Sequence, residues 1–89
     1  MDKHLLPVGS VVLLEEAEKK LLIIGNYVKK ADDERVYDYV GVPYPEGYIG
    51  GETMFLFFQE DIKQVVFLGY IDKDMQIFRA KVEAKMSAK

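Results

Sequence analysis

Val11-Val12-Leu13-Leu14-Glu15-Glu16-Ala17-Glu18-Lys19-Lys20-Leu21-Leu22-Ile23-Ile24-Gly25 holds two apolar runs separated by a charged spacer. The spacer is too short for a helix of its own, so the stretch reads as a β-hairpin, two strands joined by a polar turn. Gly25 interrupts the second run, as a bulge or a close backbone approach would require.

Working outward, Lys29-Lys30-Ala31-Asp32-Asp33-Glu34-Arg35 reads as a solvated turn. Val36-Tyr37-Asp38-Tyr39-Val40 then alternates with period two, the valines and Asp38 on one face and the tyrosines on the other, as on a half-buried strand. Pro43-Tyr44-Pro45-Glu46-Gly47-Tyr48-Ile49-Gly50-Gly51 combines prolines that fix φ with glycines that permit positive φ, which makes a shaped loop, stiff in its first half. Met54-Phe55-Leu56-Phe57-Phe58 is apolar on both faces and reads as a central strand covered on both sides. Gln59–Lys63 suggests one helical turn, and Gln64–Tyr70 a β-branched and aromatic strand. Asp72 or Asp74 is placed to cap a C-terminal helix. Its apolar stripe would be Ile71, Met75, Phe78, Val82 and Met86, with Lys73, Gln76, Lys81 and Glu83 opposite.

The expected architecture is α+β: about five antiparallel strands, strongly twisted or partly closed into a barrel, and one C-terminal helix over a sheet face or an open edge. At 89 residues the chain is one domain, 1–89, with residues 1–5 and 87–89 expected to fray. Apolar residues make up 49% of the chain, which argues against disorder.

The chain has no cysteine, which removes disulfides and thiolate metal sites and suits a reducing compartment. Met1-Asp2-Lys3-His4 leads into an apolar stretch broken by Pro7 and Gly9, unlike a secretory leader, and no run approaches the ~20 residues of a membrane helix. The expectation is a soluble, cytoplasmic protein.

The net charge of −3 is unevenly placed. Residues 38–64 carry Asp38, Glu46, Glu52, Glu60 and Asp61 against Lys63 alone, whereas the positive charge gathers in residues 72–89. That is not the concentrated basic footprint of a duplex-binding protein.

Catalytic chemistry is thin. The only histidine, His4, stands at the N-terminus, and the chain offers no histidine pair for a metal. Ser10 and Ser87 lack a nucleophile context, and Ser10 after Gly9 reads as a turn residue. Gly47, Gly50 and Gly51 lack the lysine of a phosphate loop, and Glu46 and Glu52 would repel phosphate. Among the carboxylates, Asp38 shares a face with valines, which suits a buried group tying down the Pro43–Gly51 loop. No enzyme, cofactor or metal is expected.

Four of the six tyrosines, Tyr37, Tyr39, Tyr44 and Tyr48, lie in or beside the loop stiffened by Pro43 and Pro45. Tyrosine is enriched in binding hot spots, and a stiff loop loses little entropy on binding. The candidate protein-binding set is therefore Tyr37, Asp38, Tyr39, Tyr44, Pro45, Glu46, Gly47 and Tyr48, against the alternative that these rings complete a small core.

Leu6-Pro7-Val8-Gly9-Ser10-Val11-Val12-Leu13-Leu14, Lys20-Leu21-Leu22-Ile23-Ile24-Gly25 and Tyr37-Asp38-Tyr39-Val40-Gly41-Val42-Pro43-Tyr44-Pro45-Glu46-Gly47-Tyr48 resemble the family of domain of unknown function 4176. Phe57-Phe58-Gln59-Glu60-Asp61-Ile62 and Val65-Val66-Phe67-Leu68-Gly69-Tyr70 extend the resemblance from about Leu6 to Phe78. It implies a small protein of Gram-positive bacteria, encoded near type VII secretion effectors of the LXG class. The implied role is a cytosolic accessory, chaperone or targeting factor whose partner is such an effector. The resemblance supplies no catalytic residues. An immunity-type protein that neutralises a toxin domain is the alternative, since the acidic 38–64 segment would steer toward a basic partner. A small β-barrel nucleic-acid binder is the third, and it sits badly with tyrosines flanked by Asp38 and Glu46. An exposed edge strand in so small a sheet also leaves room for a homodimer.

Overall fold

A computed structural model of the chain describes residues 5–29 and 34–87. Of the ends expected to fray, 1–5 and 87–89, residues 1–4 (with His4) and 88–89 lie outside the described residues, as does most of the charged turn after Lys29.

The two apolar runs form a hairpin of β1 (Val11–Leu14) and β2 (Lys20–Lys29), with Val11 opposite Leu22 and Leu13 opposite Lys20. β2 continues past Gly25 and pairs along its length with β3 (Val36–Pro43), with a register shift between Ile23 and Gly25. Glycine eases that shift, because a Cβ on Gly25 would stand 2.8 Å from Val40 Cγ1 and force the valine to move. β4 (Phe55–Phe57) pairs with β3, and β5 (Ile62–Phe67) returns to the far side of β1. The order is β4-β3-β2-β1-β5, antiparallel throughout and not closed into a barrel. The chain ends in one helix, α1 (Lys73–Ser87), so the fold is α+β as expected.

Met54–Phe58 is not a central strand. β4 has three residues and lies at the sheet's edge, with Phe57 in the core and Phe55 about half exposed. An apolar run does not require strands on both sides, and here Met54 and Phe55 keep nearly half of their surface exposed. Gln59–Asp61 does form one turn of 3-10 helix, closed by the Phe58 N–H donating to Asp61 Oδ2 at 2.9 Å.

The core lies on the face that carries Val12, Leu21, Ile23, Tyr39 and Phe57, and it is completed by Leu5 and by Val82 of α1. Tyr39 is fully buried at its centre. Its hydroxyl accepts the Leu6 N–H at 2.9 Å and donates to Gln59 Oε1. Burial pushes the phenol up to about 12, offset in part by the Leu6 hydrogen bond.

Leu5–Ser10 crosses this core as a strap. Leu5, placed among the fraying residues by sequence, has no exposed surface. Glu83 Oε2 accepts its N–H at 3.0 Å, and Arg79 Nη1 donates to its carbonyl at 3.0 Å. Asn26 Nδ2 donates to the Leu6 carbonyl at 2.9 Å. These bonds set the rotation of α1. Asp72 caps it by accepting the Met75 N–H at 3.0 Å. The inward line is Met75, Arg79, Val82 and Glu83, while Phe78, expected on the buried stripe, is 43% exposed. Hydrophobic spacing misplaces the stripe because two polar side chains turn inward to bond the strap. The Met86 side chain lies outside the described set.

Ser10 fastens the strap to the other end of the chain. Its buried Oγ accepts the Gly69 N–H at 2.9 Å, and a Cβ on Gly69 would lie 2.7 Å from the Val8 carbonyl oxygen.

Candidate functional site

β3 ends at Pro43, and the segment that follows is anchored at both ends. At its root the Tyr44 N–H donates to the Lys20 carbonyl at 2.9 Å and the Gly47 N–H to the Pro43 carbonyl at 2.6 Å. The Tyr44–Pro45 peptide is cis, and Gly47 takes φ 81°, which a side chain would strain. At the far end the Thr53 hydroxyl and N–H both donate to the Gly50 carbonyl, at 2.6 and 3.0 Å. Between these anchors Tyr48 and Ile49 are 63% and 65% exposed.

The loop is also tied sideways. Lys19 Nζ, on the turn between β1 and β2, meets the Glu46 carboxylate at 2.8 Å. That hydrogen bond holds the Glu46 carboxyl below the usual range. Both partners are about half exposed, so the pair fixes geometry more than it adds stability.

Beneath the loop lies a groove of about 400 Å³ walled by Leu14, Ala17, Leu21, Pro43, Ile49 and Phe55, with the Lys19–Glu46 pair at its rim. It continues the core face. Leu21 belongs to the core and sits opposite Pro43, whereas α1 reaches that face through Val82 at the Leu5–Tyr39 end. A second groove of about 490 Å³ lies on the other face, where Val11, Leu22 and Phe67 are cross-strand partners, and it is lined also by Tyr44, Val66 and Lys20.

The structure splits the residues proposed from sequence into two groups. Tyr39 is core. Asp38, on the opposite face and 4% exposed, accepts the Gln59 N–H at 2.7 Å and so ties β3 to the 3-10 turn after β4. Tyr37 is half-buried, its ring 4.9 Å from that of Phe58, with the Arg35 guanidinium 5.8 Å from its centroid. Tyr44, Pro45, Glu46 and Tyr48 stand on the surface around Gly47. The Tyr-Asp-Tyr segment thus meets Phe57-Phe58-Gln59 to build the fold, and Leu-Pro-Val-Gly-Ser meets Gly69 for the same purpose.

Sequence reasoning missed Ile49 and Phe55, which form groove walls. An isoleucine set among glycines in a loop was the available signal, because such a side chain has no strand or helix to bury it. It also missed how open β5 is. Val65, Val66 and Phe67, with Leu68 and Tyr70 beyond, are all 42–80% exposed.

The chemistry on offer here is apolar contact with a charged border. Among the described residues no three His, Asp or Glu side chains gather as metal ligands, and no helix is long and apolar enough to cross a membrane. A family model described as a domain of unknown function, DUF4176, matches residues 5–78. No curated protein and no solved structure matches the chain.

Proposed function

Since the chain belongs to the DUF4176 family, matched from the strap into α1, we propose that it works by binding another protein, as a non-catalytic accessory or targeting factor for a type VII secretion effector. The observation that carries this is the anchored loop, which presents Tyr48 and Ile49 to solvent beside an apolar groove. Exposed apolar surface on a constrained backbone suits a partner interface, because little conformational entropy remains to be lost. A setting in a Gram-positive cytoplasm is part of this proposal, and the resemblance of the motif blocks is its support. Co-purification from the native cytoplasm tests the reading. A single effector-sized protein should accompany the wild-type chain and be lost from a folded Tyr44→Ala/Tyr48→Ala variant; failure of any partner to associate sinks it.

The acidic surface favours one second reading, an immunity-type protein that steers onto a basic toxin domain. Protection of toxin-expressing cells, without improved export of the toxin, is the result that would replace the first reading with this one.

A further inference from the structure

We propose that the groove beneath the loop is a socket for a bulky apolar side chain carried on a Lys- or Arg-flanked segment of the partner protein. This rests on the binding reading above and specifies its chemistry.

The apolar half comes from the walls. Leu14, Leu21, Pro43, Ile49 and Phe55 offer carbon surface in a cavity of about 400 Å³. Pockets for small ligands pair such walls with a few inward polar groups that fix orientation. Here the charged side chains in the lining are Lys19 and Glu46, already bonded to each other at the rim. A side chain that needs burial and no hydrogen bond fits that lining; a polar metabolite does not.

The basic half comes from the border. Glu15, Glu16 and Glu18 stand on the turn between β1 and β2, and Glu46 and Glu52 on the loop; all five are exposed. Asp61 adjoins them, its carbonyl accepting the Glu15 N–H at 2.9 Å. The neighbouring lysines are Lys19, committed to Glu46, and Lys20 and Lys63. Carboxylates therefore outnumber lysines on the turn and loop that supply the groove's walls, which favours a cationic segment over an acidic one. The groove on the opposite face has Lys20 as its charged lining residue, so the two grooves do not invite the same partner.

The test is a peptide-display selection on three immobilised, folded proteins: wild type, Ala17→Phe, which fills the groove, and Glu18→Lys/Glu52→Lys, which reverses charge at its border. Wild type should enrich peptides with a Leu, Ile or Phe flanked by Lys or Arg. A synthetic peptide from that pool should bind at least tenfold more weakly to Ala17→Phe and to the charge-reversed protein, and more weakly as salt rises. Circular dichroism shows whether each variant is folded, and the charge-reversed protein, altered at exposed positions only, keeps the test decisive if Ala17→Phe is not. Enriched peptides without a basic bias, binding that survives groove filling, or no enrichment at all overturns the socket. If the native partner still co-purifies with wild type and equally with both variants, the socket falls while the accessory reading stands. Loss of the partner from wild type removes both.

Discussion

The core face has two ends that are finished differently. At one, both peptide groups of Leu5 and Leu6 are fully used: Glu83, Arg79, Tyr39 and Asn26 take their four hydrogen-bonding positions. At the other, the loop backbone is anchored just as firmly, yet Tyr48, Ile49 and Phe55 keep roughly half or more of their surface in water. Slack backbone is therefore not why the second end is open. A chain this small has little apolar surface to spare, so apolar side chains left uncovered on a constrained loop are what the proposed binding role would use.

Mutations should break the closed end through stability and the open end through binding. The largest effect belongs to Gly69→Ala, whose Cβ would meet the Val8 carbonyl oxygen at 2.7 Å. Backbone on both sides must shift, so urea unfolding should show a loss of about 3 kcal/mol. Tyr39→Phe comes next. It strips the acceptor from the Leu6 N–H and the donor from Gln59 and should cost about 1–3 kcal/mol.

The same tyrosine gives a pH signature. Its folded pKa, about 12, lies above the ordinary value of 10.0, so the neutral form is favoured by folding. That stability is complete below the ordinary value and drains away as pH climbs from about 10 to about 12. Wild type should lose stability over that window more steeply than Tyr39→Phe; equal slopes would mean that the phenol is not buried as described.

At the open end the sign of the experiment reverses. Tyr48→Ala should change stability by no more than about 0.5 kcal/mol while abolishing partner capture. A large loss of stability would mean that the loop is structural and erase the contrast between the two ends. The smallest effect is at the rim. The Glu46 carboxyl, followed by NMR, should titrate below an ordinary glutamate in wild type and return toward normal in Lys19→Ala. Because its folded pKa is depressed, whatever it adds is present above the usual carboxylate range and is lost as pH falls through the folded value.

Local pattern revealed most of the fold. Charge between two apolar runs gave the first hairpin, Gly25 the register shift between β2 and β3, alternation the faces of β3, and the Asp72/Asp74 pair the start of α1, where Asp72 is the cap. What stayed hidden depended on distant partners. Met54–Phe58 looked central because it is apolar throughout, and a half-exposed edge strand has the same composition. The helix stripe was misphased at Phe78 because Arg79 and Glu83 turn inward to a strap more than seventy residues away. The tyrosines could not be divided in advance. Tyr39 and Tyr48 are the same residue type near the same loop, and only the path of β3 puts one in the core and the other in solvent.

The strap also dictates when the molecule can be finished. Leu5 leaves the ribosome well before its partner does, because the carboxylate that receives its N–H lies 78 positions later, on Glu83. Until that helix has been synthesised, the strap cannot be clamped by Arg79 and Glu83, and the core is short of Val82. The nascent chain therefore holds its hairpins in waiting, closing as a unit only once α1 has emerged.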